Sequence, residues 1–209
     1  MLKKILTFSL VLWLCACASS PVRQIPAEVR AYKKVDLFAA GHVQAAFKVS
    51  GEMNNMGLEG VLVIKKMGED DFDVSVLMGG AYRIMQATVT PEGIAYRYLF
   101  PDADTPLVRS RINQFLNVLL FEPGVYQRRQ VKKEQVAISY KNPSASVRLF
   151  YRPEEIYPFS AQTSTLLNTA DLFYEEYAPA RAQGDIQLPH ELIYKDGKIS
   201  LSLTLISLK

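Results

Sequence analysis

The two cysteines, Cys15 and Cys17, are the residues of this sequence placed most clearly for covalent chemistry. A thiol can be acylated, oxidised to a disulfide or bound to a metal, and its surroundings decide which. Cys15 lies near the end of an apolar run at residues 5–16 and Cys17 directly follows it, and the run comes after the positive charges of Lys3 and Lys4. This layout is typical of a secretory signal peptide. The run is shorter than the ~20 residues of a membrane-spanning helix, so we expect cleavage.

The residues Leu14-Cys15-Ala16-Cys17 resemble the lipobox of bacterial lipoproteins. The resemblance implies cleavage between Ala16 and Cys17, so that residues 1–16 form the signal peptide and Cys17 carries a thioether-linked diacylglycerol. Cys15 is an uncommon residue at its lipobox position. The residues leave a second interpretation open, in which Ala16-Cys17-Ala18 is an ordinary A-x-A cleavage site that releases a soluble protein.

The residue after the lipidated cysteine bears on the location of the protein. In lipoproteins of bacteria with two membranes, Asp at this position retains the protein in the inner membrane, and this sequence has Ala18. The resemblance therefore implies a lipid-anchored protein on the periplasmic face of the outer membrane. Several acyl chains at ~0.8 kcal/mol per buried methylene would make this attachment nearly permanent.

The other residues with acid–base or metal-binding side chains form no recognisable site. His42 and His190 stand apart, and no nucleophile elbow, phosphate-binding glycine loop or H-E-x-x-H motif is present. The acidic run at residues 68–73 lacks the closing Glu of a calcium loop. The glutamate pairs at 154–155 and 175–176 are adjacent, and adjacent side chains on a strand point to opposite faces. We predict no catalytic residue, metal or cofactor.

Charge and cysteine count exclude further classes of function. The formal net charge of +3 falls to about +1 when Lys3 and Lys4 leave with the signal peptide, and this small charge argues against a nucleic-acid partner. Acylation of Cys17 would remove the last free thiol and with it any disulfide. About 190 residues remain, enough for one domain with a hydrophobic core.

Alternating polarity predicts an antiparallel β-domain over residues 41–209, after a lipidated N-terminus and tether at 17–40. Segments of period two recur between turn residues, as at residues 72–76. Near the C-terminus, Asp196-Gly197 separates two apolar arms, as in a tight hairpin.

One segment has the period of a helix instead. Thr105 and Pro106 are typical of an N-cap and a first helical residue, and Pro123-Gly124 ends the element. Its apolar residues recur at steps of three and four, namely Val108, Ile112, Phe115, Leu116 and Leu119. Two roles remain open for this helix: it fills an open face of the sheet as ordinary core, or it covers a cavity as a lid.

The lipobox, tether, antiparallel strands, central helix and closing hairpin LPHELIYKDGKISLSLTL together resemble the lipoprotein carriers LolA and LolB, over about residues 43–205. The resemblance lies in the pattern and includes no diagnostic motif. It implies a mainly β fold, an open, unclosed antiparallel β-barrel with the central amphipathic helix as plug or lid. It also implies an apolar interior that accepts the acyl chains of lipoproteins.

The outer-membrane member of that family has a protruding loop with an exposed apolar residue that meets lipid. The matching residues here are Leu77, Met78 and Tyr82, around Gly79-Gly80, without the proline that usually accompanies the family's leucine. The residues leave open whether Leu77 and Met78 form this membrane-contact loop or continue a buried strand.

Enclosing a lipid tail requires only an apolar space of suitable shape, because each buried methylene contributes ~0.8 kcal/mol without directional bonds. Our candidates for lining the acyl-chain cavity, not separable by sequence from plain core, are Val74, Val76, Ile84, Tyr96, Tyr98, Ile112, Phe115 and Leu116.

We therefore predict an outer-membrane lipoprotein that binds the acyl chain of a lipoprotein or other lipid and takes part in its localisation. The alternative is a lipid-anchored adaptor that binds another envelope protein and no lipid. Tyr174, Tyr177 and Arg181 would serve that alternative, since Tyr and Arg are favoured in binding hot spots.

Overall fold

The computed structural model describes most of the chain beyond the predicted signal peptide. The predicted cleavage and lipidation residues, Ala16 and Cys17, lie outside the described residues. These are residues 25–53, 56–79, 82–143, 145–166, 168–180, 186–197 and 199–209.

Twelve strands and two helices account for the regular structure of the described residues. The helices are α1 (Ala27–Arg30) and α2 (Pro106–Leu120), and a 3-10 turn at Pro101–Ala103 precedes α2. The strands are β1 (Gln44–Met53), β2 (Met56–Lys66), β3 (Phe72–Met78), β4 (Tyr82–Thr90), β5 (Gly93–Leu99), β6 (Val125–Lys132), β7 (Gln135–Lys141), β8 (Ser146–Tyr151), β9 (Ser160–Ser164), β10 (Thr169–Pro179), β11 (Gln187–Asp196) and β12 (Ile199–Leu208).

All twelve strands belong to one antiparallel sheet that does not close. The strand order is β5-β4-β3-β2-β1-β12-β11-β10-β9-β8-β7-β6, so β1 and β12 pair while β5 and β6 form the two edges. Helix α2 connects these two edge strands along the chain. The mainly β, unclosed antiparallel architecture with one long helix confirms the predicted fold class.

The period-two pattern decides which face of the sheet is inner. On β4, Met85, Ala87 and Val89 are buried and alternate with half-exposed residues. The predicted C-terminal hairpin is present: Asp196 pairs with Ile199, and Gly197 has the positive φ of 56° that a tight primed turn requires.

Helix α2 begins and packs as its sequence predicts. The side-chain oxygen of Thr105 accepts a hydrogen bond from the Val108 amide at 3.3 Å, and Pro106 occupies the first turn. Leu116, Leu119 and Leu120 are buried in the core. The C-terminal half of the helix therefore fills the sheet as core. No helix in the described part of the chain is long and apolar enough to span a membrane.

The prediction of a tether as far as residue 40 is wrong for its second half, because residues 29–38 pack into the domain. Val29, Val35, Leu37 and Phe38 are all buried in the core, and the ring of Phe38 lies 5.4 Å from that of Phe72. The apolar residues in this segment recur with neither a strand nor a helix period. Without a periodic signal, the sequence pattern predicts a linker there.

Truncation of Leu37 tests this part of the fold. Leu37 is 1% exposed, so Leu37→Ala should lower the free energy of unfolding by about 2–5 kcal/mol, as cavity formation in a core does. The control Ile25→Ala, at a side chain 44% exposed, should change it by less than about 0.5 kcal/mol. Urea unfolding measures both, and an equal effect of the two would contradict the packing of this segment.

Candidate functional site

A cavity of about 220 Å³ lies between α2 and the inner face of the sheet. It occupies the end of the sheet at which the β1–β2, β3–β4 and β11–β12 hairpins turn. Strands β1, β2, β3, β4, β5, β11 and β12 all contribute to its wall, and the first three turns of α2 cover it with Val108, Ile112, Phe115 and Leu116. The helix therefore has both of the roles left open for it, because it covers the cavity with these residues and fills the core with Leu116, Leu119 and Leu120.

Five of the eight candidate cavity residues lie together in this wall: Val76, Ile84, Ile112, Phe115 and Leu116. Val74 is fully buried on β3 but belongs to the core beside the cavity. Tyr96 lies against Arg109, whose guanidinium carbon is 4.8 Å from the ring centre. The role of the five residues in lipid binding stays a prediction.

The prediction that Tyr98 faces the cavity on the same side of the strand as Tyr96 is wrong. The pairing of β5 with β4 shifts by one residue between these positions, so that Gln86 pairs with Tyr98 while Ala87 pairs with Tyr96. A bulge of this kind reverses the alternation beyond it. Tyr98 is consequently 40% exposed, and Leu99 takes the place in the cavity wall.

Sequence reasoning missed the part of the wall that β1, β2 and β12 contribute. Val49 and Leu203, which pair across β1 and β12, both line the cavity, as do Leu58, Leu62 and Leu201. The alternation of β12 identified Leu201 and Leu203 as inward-facing. The signal that was lacking is the pairing of β1 with β12, which are more than 140 residues apart in sequence.

The β3–β4 hairpin, which carries the predicted membrane-contact loop, adjoins the cavity. Leu77 and Met78 belong to strand β3 and are half-buried, and Met78 lines the cavity. Tyr82, opposite Met78, is 75% exposed. Of the three residues, Tyr82 therefore has the exposure that contact with lipid requires, and this contact stays a prediction.

The exposed wall of the cavity is apolar even though two charged residues, Glu59 and Arg111, contribute to it. The guanidinium of Arg111 is turned to Asp196, with its Nε 2.9 Å from a carboxylate oxygen. The remainder of the Arg111 side chain is a methylene stem, which packs like an aliphatic residue. The surface of the cavity is therefore suited to a hydrocarbon chain. It offers no free charge to pair with a charged lipid head group.

The carboxylate of Asp196 is the centre of a buried polar cluster beneath α2. Asp196 is 1% exposed, and one of its oxygens accepts from Asn168 Nδ2 at 2.7 Å and from the Tyr194 hydroxyl at 3.2 Å, besides the ion pair with Arg111. Burial, and then the charge of Asp196, raise the pKa of Tyr194 far above its usual range, so the phenol keeps the proton it donates.

Further contacts hold the same helix to the sheet. The buried side chain of Gln114 donates from Nε2 to the carbonyl oxygen of Thr163 at 3.0 Å. Phe115 meets the ring of Tyr194 edge-on at 5.3 Å. Polar contacts on one side and apolar contacts on the other thus fix both the rotation of α2 and its height above the cavity.

The Tyr-rich segment proposed for a partner protein is mostly internal. Tyr174 is buried, and Tyr177 is half-buried and donates its hydroxyl proton to the Pro158 carbonyl at 2.7 Å. Arg181 lies outside the described residues. Two of the three residues therefore contribute to packing.

The expectation that adjacent glutamates face apart is wrong for residues 175–176. Glu176 has a φ of 53°, which interrupts the alternation of β10, and both glutamates are exposed on one cleft with Glu154 and Glu155. Within the described ranges, no group of three His, Cys, Asp or Glu side chains is placed to hold a metal ion.

Comparison with solved structures decides the fold relationship. A LolA superfamily protein from Nitrosomonas europaea superposes with a TM-score of 0.58 at 11% identity, covering 82% of this chain and 87% of that one. The chain has a LolA-like fold. At this identity the likeness is one of fold alone.

Other comparisons add little to this result. A DUF1329 family protein from Desulfovibrio piger superposes with a TM-score of 0.48 at 8% identity, covering 81% of this chain and 86% of that one. An outer-membrane lipoprotein-sorting protein domain from Vibrio parahaemolyticus superposes with a TM-score of 0.47 at 8% identity, covering 81% of this chain and 85% of that one. No protein-family model and no curated protein matches the sequence.

Substitution of Asp196 tests how the helix is held. Asp196→Asn keeps the shape but leaves Arg111 with an uncompensated charge, and should lower the free energy of unfolding by about 3 kcal/mol. The control is Glu155→Gln, in an exposed pair with Arg152 at 2.9 Å, where about 0–1 kcal/mol is expected. Urea unfolding compares the two, and similar small losses would show that the Asp196 cluster does not hold the helix.

Proposed function

We propose that this protein binds an acyl chain of a lipoprotein or other lipid in the cavity beneath α2 and takes part in the localisation of that cargo in the bacterial envelope. The observation that carries the proposal is the apolar cavity, covered by one amphipathic helix. The LolA-like fold supports it, since the resemblance to LolA and LolB implies an apolar interior that accepts acyl chains.

The chemistry of the wall favours a hydrocarbon ligand over an ionic one. Aliphatic and aromatic side chains form the exposed wall, and the guanidinium of Arg111 is occupied by Asp196. A hydrocarbon gains ~0.8 kcal/mol per buried methylene in such a space. An anionic head group placed there would have to compete with a buried carboxylate for the same guanidinium.

The size of the cavity implies that the helix moves when cargo is bound. Its 220 Å³ is below the about 300–1,000 Å³ of sites that enclose ligands of drug size. The closed form therefore has room for part of one acyl chain. Displacement of the N-terminal half of α2 would enlarge the space, while its buried leucines keep the C-terminal half in place.

Native mass spectrometry of residues 19–209, exported behind a cleavable signal, tests acyl-chain binding. We expect a co-purified lipid or uptake of an added lipopeptide. Ile112→Phe should reduce occupancy several-fold because it fills the cavity, at an overpacking cost of about 1–3 kcal/mol. Leu107→Phe, at a position 55% exposed on the same helix, is the matched control and should keep the ligand.

An empty protein that also resists fatty acids and lipopeptides would refute the carrier function and favour the alternative of a lipid-anchored adaptor for another envelope protein. Equal occupancy in the Ile112 and Leu107 variants would place the lipid elsewhere in the molecule.

We further propose that the protein is attached by a lipid on Cys17 to the periplasmic face of the outer membrane, as the lipobox resemblance implies. Cys17→Ala removes the only side chain of the motif that takes a diacylglycerol and should release the protein from the membrane fraction. Cell fractionation measures this, with Cys15→Ala as the control that should remain attached. Continued tight attachment of the Cys17 variant would refute lipidation.

A further inference from the structure

The outer face of strands β6, β7 and β8, opposite the buried face, carries a cleft with three cationic side chains. Arg128 on β6 pairs with Ser139 on β7, which in turn pairs with Arg148 on β8. Ser139 therefore lies between two arginines in one row across three strands. Lys141, two residues further along β7, lines the same cleft of about 220 Å³.

The cations of this cleft are not neutralised within the described structure. Arg128, Lys141 and Arg148 make no ion pair there, and no carboxylate lines the cleft. The next carboxylate along the row, Asp171, accepts a hydrogen bond from Gln162 Nε2 at 3.0 Å. The cleft therefore has a local excess of positive charge in a chain whose net charge is small.

A second and independent observation points to a ligand at the same place. The hydroxyl oxygen of Ser139 is buried and has no hydrogen-bond partner among the described residues. A buried polar group without a partner is costly, and an anion bound between the two arginines would supply an acceptor for this hydroxyl. Two guanidinium forks flanking a hydroxyl donor are the arrangement that tetrahedral oxyanions favour.

We propose that this cleft, formed by Arg128, Ser139, Lys141 and Arg148, binds the phosphate group of an anionic lipid head group. The arginines flank the phosphate from two strands, at a separation of about 9.6 Å given the strand spacing, and the Ser139 hydroxyl donates between them. The site lies on the face of the sheet opposite the acyl-chain cavity, so it goes beyond the proposed function and does not depend on it.

A membrane surface fits the surroundings of the cleft better than an isolated phosphate does. Four residues along β6 from Arg128, the β6–β7 hairpin carries the exposed side chains of Lys132, Lys133 and Glu134, which leave a net positive charge. At the other end of the strand, Val125 pairs with Lys141 of the cleft and is 54% exposed. Cations beside an exposed apolar side chain are typical of segments that lie against anionic bilayers.

Vesicle flotation of residues 19–209, exported behind the same cleavable signal, tests the proposal without an N-terminal lipid or an apolar leader. The vesicles are phosphatidylcholine alone, and phosphatidylcholine with phosphatidylglycerol. We expect binding to the anionic vesicles, with about fivefold weaker binding for Arg128→Gln or Arg148→Gln. All variants share one N-terminus, so differences among them report on the cleft.

The charge-preserving variant separates a built site from diffuse attraction. The double variant R128K/R148K keeps both charges but removes both guanidinium forks, and should bind about tenfold more weakly. The matched control R83K/R152K changes two arginines outside the cleft and should bind as the parent does. Equal binding by both double variants would overturn the phosphate site.

Nuclear magnetic resonance with inorganic phosphate as probe distinguishes the source of the ligand. Phosphate-dependent shifts of the Ser139 amide, together with vesicle binding that requires the arginines, support the proposal. If phosphate shifts the Ser139 amide resonance but vesicle binding does not require the arginines, the proposal that the bound phosphate belongs to a lipid head group is overturned. Absence of both would overturn the site.

Discussion

An unclosed sheet must find something to cover its inner face, and this requirement organises the whole molecule. Twelve strands at about 4.8 Å spacing present far more inner surface than one helix of 15 residues, about 22 Å long, can bury. The residues before β1 cover one end of the sheet, where Leu37 and Phe38 are buried. The C-terminal half of α2 covers the middle. What remains unfilled is the cavity between the helix and the sheet.

The position of the cavity follows from the way the helix is held. Arg111, Gln114 and Phe115 make the contacts that set α2 against β9 and β11, through the Asp196 carboxylate, the Thr163 carbonyl and the Tyr194 ring. These contacts lie on the side of the helix away from the edge strand β5. Of these three residues, Arg111 belongs to the N-terminal half of the helix, while Gln114 and Phe115 join the packed leucines of the C-terminal half. The C-terminal half is therefore held by more contacts than the N-terminal half.

The two faces of the sheet have separated chemistries. The inner face is apolar, and Asp196, the one deeply buried carboxylate among the residues that the structure describes, is paired with Arg111. The outer face of β6 to β8 carries cations that no carboxylate of the cleft neutralises. Alternation along each strand makes this separation possible, because neighbouring residues such as Ile138 and Ser139 face opposite sides. A protein that handles lipid at a membrane surface would use both faces.

The sequence by itself determined the local elements, since these depend on residues close together in the chain. Alternating polarity identified the strands, Thr105 and Pro106 identified the start of the helix, and Asp196-Gly197 identified the last hairpin. The open sheet with a central helix was also predictable, from the order of these elements and their resemblance to LolA and LolB.

Only the tertiary structure decided where each inward side chain lies. Because of the bulge beside Tyr98, Leu99 and not Tyr98 lies in the cavity wall. The pairing of β1 with β12 places Val49 beside Leu203. The burial of Leu37 shows that part of the predicted tether belongs to the core. Each of these outcomes depends on contacts between segments distant in sequence. Periodicity within a segment shows which residues share a face, but the free energy of packing against other segments decides what that face meets.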